Sequence, residues 1–169
     1  MAGLRALLHG IGKVTVLCAA APGYIVPRLQ ALIMNEAARM IEEGLASAED
    51  IDKATRHGLG LRFAAMGVVE FIDDGGVDIL CHASRHQASP LSAPRYTAPA
   101  VIERMMSEQR QGLRSAEGFH DHRDNDTAAY RRGALQRLLG LVDHLRTHSD
   151  PVLAARPPDG ATPDPRDPR

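Results

Sequence analysis

From Tyr24 to Thr147 the apolar residues of this 169-residue chain return at helical spacing, and only one stretch, Lys13-Val14-Thr15-Val16-Leu17-Cys18, has the β-branched apolar run of a strand. Gly12 and Pro22-Gly23 bound that run. A single strand cannot satisfy its backbone groups in a sheet of its own, so it must pair with another polypeptide, pair with its twin, or fray. The rest of the core has to be built by helices packing on helices.

The first long pattern places Ile25, Leu29, Leu32, Ile33, Ala37, Met40 and Ile41 on one stripe, with Arg28, Gln30, Glu36, Arg39, Glu42 and Glu43 largely off it. Pro27 falls in the first turn of this helix, where a missing N–H costs little, and Gly44 stops it. Ser47-Ala48-Glu49-Asp50 is a capping-box-like start for a short helix over Ala48–His57 that ends at Gly58. Further helices are predicted over Gly67–Asp73, Val77–His86, Ala100–Gln111 and about Asp126–Thr147, the last burying Tyr130, Ala134, Leu135, Leu138, Leu139, Val142 and Leu145. Gly75-Gly76 marks a sharp bend, and Gln87–Pro99, with Pro90, Pro94 and Pro99, reads as a loop. Leu4–His9 forms at most a helical turn, and the Pro/Asp/Arg-rich stretch after His148 carries too little apolar surface to order itself.

Charge excludes some functions. Twenty Lys and Arg stand against 21 Asp and Glu, so no net field gathers nucleic acid or holds the chain to a membrane surface. Cys18 and Cys81 are far apart and lack ligand-like spacing, so both are expected as small core residues of a reduced, cytoplasmic protein. Val14–Ala21 loosely imitates a secretory signal, but Gly10, Gly12 and Lys13 interrupt it and the run is far shorter than the ~20 residues of a membrane span.

Several ordered blocks go further. Pro22-Gly23-Tyr24-Ile25-Val26-Pro27-Arg28-Leu29, Asn35-Glu36-Ala37, Glu42-Glu43-Gly44 and Ala48-Glu49-Asp50-Ile51-Asp52-Lys53-Ala54 resemble the opening of the helical domain of 3-hydroxyacyl-CoA dehydrogenases. Gly58-Leu59-Gly60-Leu61-Arg62-Phe63-Ala64 with Gly67-Val68-Val69-Glu70-Phe71-Ile72-Asp73 resembles that family's G-x-G…G-x-x-E-x-x-D stretch, and Gly112-Leu113-Arg114 to Gly118-Phe119 its K-T-G-x-G-F-Y segment. The details point to the short-chain, 3-hydroxybutyryl-CoA branch, with sugar-acid dehydrogenases as cousins. Coverage is about residues 11–148.

The resemblance implies a mostly α fold, a helical bundle of the 6-phosphogluconate dehydrogenase C-terminal-like type with one remnant N-terminal β-strand. Residues 1–21 would be the last helix and strand of a dinucleotide-binding domain, 22–148 the helical domain, and 149–169 a disordered tail. It implies substrate-cleft candidates Tyr24, Pro27, Arg28, Phe63, Met66 and Gly67. Pro27 stands where many relatives carry Asn, and so offers no amide to an active-site network. The family's catalytic His–Glu pair belongs to the N-terminal domain, so no catalytic, cofactor-binding or metal residue is assigned here. NAD would enter only with a dinucleotide-binding domain, since no G-x-G-x-x-G follows a strand and opens a helix; Gly58-Leu59-Gly60 follows a helix instead.

The expected function is therefore the substrate and dimerisation half of an NAD-dependent 3-hydroxyacyl-CoA dehydrogenase, inactive alone. The expected partners are a second copy, a separate NAD-binding subunit, and acyl-CoA once that subunit is present. The alternative is a truncated or repurposed helical dimerisation module without turnover. A metal site from His82, His86, His120 and His122 fits zinc-ligand spacing only in part, and His120 and His122 stand at aromatic positions of the family motif. Glu70 and Asp73 are expected to cap, pair with arginine or stay solvated, not to act as an acid–base pair.

Overall fold

The computed structural model describes residues 2–91 and 93–148. The chain divides into two units, residues 1–53 and 54–169, the boundary falling inside the stretch 22–148 expected to form one domain.

The first unit holds α1 (Ala2–Gly10), α2 (Val26–Glu42) and α3 (Ala48–Lys53). Helix α2 takes the predicted form, with Pro27 in its first turn and Gly44, at φ 69°, just past its end. Its apolar stripe, however, buries no residue, and Ile25, Leu29, Leu32 and Ile33 are all exposed. The α3 cap is reciprocal in spirit: the Asp50 N–H donates to Ser47 Oγ (3.1 Å) and the Ser47 hydroxyl to Asp50 Oδ2 (2.8 Å). That hydroxyl, followed by Lys53, lowers the Asp50 carboxyl below its ordinary range. The remnant strand is not formed. Residues 13–21 lie outside helix and ladder and Val14 is 90% exposed, because a strand is defined by the neighbour that pairs with it. Cys18, expected in a core, is exposed for the same reason.

The second unit opens with a π-helical winding over Ala54–Gly60, so the expected stop at Gly58 is wrong. A wider turn brings the Thr55 carbonyl to 3.0 Å from where a Cβ at Gly60 would stand, and glycine there admits it. Helix α4 (Leu61–Ala65), α5 (Val68–Gly75), α6 (Val77–Ala88), the single turn α7 (Ala93–Tyr96), α8 (Ala100–Ser107) and α9 (Thr127–Thr147) follow. The expected 87–99 loop thus gains a helical turn in its middle. Helix α8 stops short of Gln111, because Gln109 takes a left-handed φ of 57° and lets the Arg110 N–H close onto the Met105 carbonyl at 2.9 Å.

The core of this unit is Val77 and Cys81 of α6 against Ala98, Ile102 and Met105, with Ile72, Leu80, Val101 and Met106 partly buried around them. Burial pushes the Cys81 thiol upward, which keeps it protonated and inert. The turn between α5 and α6 needs Gly76 at φ 107°, and the Arg114 guanidinium lies against its Cα while pairing with Asp78. Helix α9 starts on Asp126, whose Oδ1 accepts from the Ala128 and Ala129 N–H groups at 2.9 and 3.1 Å. Among the described residues no helix is long and apolar enough to cross a membrane.

Candidate functional site

The most ordered polar centre of the second unit is Asp73, at the C-terminal end of α5 and 1% exposed. Its Oδ1 accepts from the Phe119 N–H and its Oδ2 from the His120 N–H, both at 2.8 Å, and His122 Nε2 lies 3.1 Å from Oδ2. The Asp73 carbonyl accepts from the Leu113 N–H at 2.9 Å. One residue thus holds both ends of the 112–122 loop. Because the ionised carboxylate can only accept, His122 must offer Nε2–H to it, leaving Nδ1 facing the Asn125 amide at 3.2 Å. Asp73 and His122 were expected to be solvated, arginine-paired or aromatic-slot residues; neither Asp73 reading holds, while His122 does fill an aromatic slot, edge-on to Tyr130 at 5.8 Å. His120 is exposed.

Glu70 behaves as the sequence suggests, capping and pairing with arginine. Its Oε2 accepts from the Gly67 N–H at 3.1 Å, which closes the start of α5, and its Oε1 lies 3.4 Å from an Arg137 nitrogen. It also accepts from the Tyr130 hydroxyl, a partner the sequence does not announce. Arg137 reaches on to the Ala65 carbonyl at 2.8 Å, so α9 caps the end of α4. Burial first, and then Glu70, push the Tyr130 phenol well above its usual range. The stability this gives is complete below the ordinary tyrosine pKa of about 10 and is lost as pH rises toward the raised folded value, because only the unfolded phenol ionises in between. Tyr130→Phe is therefore expected to lose stability less steeply than the parent above pH ~10 in urea titrations. Equal slopes would refute the burial of this phenol.

The substrate-cleft candidates are spread over both units. Tyr24, at φ 45°, and Arg28 line a shallow apolar hollow with Ile25, Leu29 and Leu32, whereas Pro27 faces another groove with Gln30, Ala31, Met34 and Asn35. In the second unit Met66 is buried and lines a pocket with Phe71, Phe63 stacks edge-on to Phe71 at 6.2 Å, and Gly67 is the α5 cap. That pocket, also lined by Arg62, Ala65, Asp74, Arg131, Ala134, Leu135 and Leu138, draws half its wall from α9, which sequence reasoning treated only as a core helix. Leu135 and Leu139, expected in its buried face, are exposed.

Gly58 and Gly60 lie inside the π winding, not in a strand-to-helix turn with free amides, so nothing in them fits a dinucleotide pyrophosphate. His82 and His86 are exposed on α6, and among the described residues no group of three or more His, Cys, Asp or Glu could hold a metal ion.

Comparison with known proteins gives this arrangement its class. The 3-hydroxyacyl-CoA dehydrogenase C-terminal domain matches residues 23–122, which contain both the Gly67–Asp73 block and the loop it holds. The chain belongs to that family. It is 28% identical over 142 residues to the 5-formyl-3-hydroxy-2-methylpyridine 4-carboxylate 5-dehydrogenase of Mesorhizobium japonicum, covering 83% of this chain and 46% of that protein. It is 31% identical over 121 residues to the human mitochondrial hydroxyacyl-coenzyme A dehydrogenase, covering 67% of this chain and 35% of that one. The crystal structure of a 3-hydroxyacyl-CoA dehydrogenase from Archaeoglobus fulgidus aligns with a TM-score of 0.70 at 28% identity, over 85% of this chain and 49% of the other. The chain thus spans half or less of each of these relatives.

Proposed function

We propose that the chain is the substrate-side helical part of an NAD-dependent 3-hydroxyacyl-CoA dehydrogenase of the 3-hydroxybutyryl-CoA branch, turning over only together with a dinucleotide-binding part, in the same or a separate polypeptide. The observation that carries the reading is the Asp73 clamp. Two blocks of the matched domain, 46 residues apart, are knit together by buried, fully partnered hydrogen bonds, so the domain keeps the internal architecture that an enzyme of this family would use. Hydride transfer needs a cofactor and a base held at contact distance, and the residues present here offer neither a pyrophosphate cradle nor a base beside one.

The test is NADH oxidation with acetoacetyl-CoA, by the chain alone and mixed with the recombinant dinucleotide domain of a relative. Activity is expected only in the mixture. Activity of the chain alone overturns the dependence on a second part, and silence in a mixture whose two halves co-elute overturns the enzymatic reading in favour of a helical module without turnover.

We also propose that the apolar face of α2 is covered by a second copy. Ile25, Leu29 and Leu32 are 43, 44 and 58% exposed on one stripe, the pattern of an unfilled helix–helix seam. Light scattering at micromolar concentration should report a dimer, and the double substitution Leu29→Glu with Leu32→Glu a monomer of unchanged helicity. A monomeric parent chain would remove the proposal.

A further inference from the structure

We propose that the pocket between α4, α5 and α9 is the acyl-chain subsite and that α9 sets the chain length it accepts; this rests on the function proposed above. Two alanines make the space. Ala65 at the end of α4 and Ala134 on α9 face a common gap, and Met66, Phe71, Leu135 and Leu138 wall it without filling it. The pocket measures about 280 Å³. Set against the ~150 Å³ cavity that accepts benzene and the ~300 Å³ at which drug-sized pockets begin, that volume suits an acyl end of roughly four to six carbons.

The chemistry of the lining selects a neutral, apolar occupant. Arg131 holds Asp74 through Nε at 3.0 Å and reaches its carbonyl at 3.2 Å, so the charges at that edge of the rim cancel. The Arg62 guanidinium lies over the Phe71 ring, 4.9 Å from its centroid, and is exposed at the mouth, where a thioester oxygen would emerge from an acyl group seated inside. Met66, one of the cleft candidates, belongs to the same wall, which ties the pocket to the expected cleft. Helix α9 lies beyond residues 23–122, the part matched by the family domain, so this wall can vary independently of the domain's shared architecture.

The test titrates the chain calorimetrically with butyryl-CoA, dodecanoyl-CoA and CoA. Butyryl-CoA is expected to bind more tightly than either of the others, by roughly tenfold over CoA, as burial of about two methylene-sized groups provides. Leu135 is exposed enough to accept a charge without unfolding the chain, and Leu135→Asp should reduce butyryl-CoA to the level of CoA. Leu139→Asp, equally exposed one turn further along and not in the lining, should leave it unchanged. Equal effects of the two substitutions, CoA binding as tightly as butyryl-CoA, dodecanoyl-CoA binding as tightly, or no binding of butyryl-CoA at all each overturn the subsite. The complemented assay separates the two readings: turnover whose chain-length preference Leu135→Asp leaves untouched removes the subsite and keeps the enzyme, whereas silence with co-eluting halves removes the enzyme.

Discussion

Replacing Asp73 by alanine is expected to destabilise the second unit by about 3–5 kcal/mol, since it strands two buried backbone N–H donors and a buried imidazole together. The Phe119 and His120 amides and His122 Nε2 all converge on this carboxylate, and His122 is only 3% exposed, so water does not replace the lost acceptor without opening the loop. For a unit of this size that loss corresponds to a fall in Tm of roughly 15–25 °C. Asp73→Asn separates charge from shape: it fits the same space, but its amide nitrogen must face one of three donors, so most of the loss should remain. Urea denaturation followed by circular dichroism measures both variants. A cost below about 1 kcal/mol for Asp73→Ala would mean that the loop is held by something else.

Gly118→Ala is the second large effect, and its cause is close approach, not backbone conformation. Gly118 is absent from the residues with positive φ, so alanine could adopt its backbone, yet an added Cβ would overlap the Asp73 carboxylate, standing 2.6 Å from Oδ2. The loop must lift off Asp73 to admit it, losing the same hydrogen bonds, and a cost of about 3 kcal/mol follows. Gly112 differs, for it combines φ 78° with a Cβ position 2.6 Å from the Asp73 Cα, so its substitution pays for conformation as well. The informative experiment is the double-mutant cycle. In the Asp73→Ala background the carboxylate that the Cβ would strike is gone, so Gly118→Ala should cost at most about 1 kcal/mol there. Additive costs would show that Gly118 is required for a reason unconnected with Asp73.

The Asp73 carboxylate also shows where reading one sequence stops. Gly67–Asp73 and Gly112–Phe119 were both legible as family blocks, but nothing in a single chain says that Asp73 of the first receives the backbone of the second. Its short side chain on a short helix looked like a cap or a solvated charge, which is what its neighbour Glu70 partly is. Similarly, the apolar period of α9 predicted its length to within a residue but not its face: Ala134 is buried while Leu135 and Leu139 are exposed, so the stripe that looked like core is in part the wall of a pocket.

What the sequence by itself determined is whatever depends on interactions within a few residues. The Pro27 entry and Gly44 exit of α2, the Ser47 cap, the Gly76 bend, and the Asp126 start of α9 all follow from local hydrogen bonding and allowed φ, and all are present. The family followed too, because its blocks recur in order. Tertiary structure alone decided the π winding at Ala54–Gly60, the left-handed Gln109 that ends α8, and the absence of a ladder at 13–21. It also decided the convergence of Phe119, His120 and His122 on Asp73. The physical reason is range. A cap is satisfied by the residue three positions away, whereas a ladder or a buried carboxylate is satisfied by whatever the packed chain brings beside it, and that partner is not written at any fixed distance along the sequence.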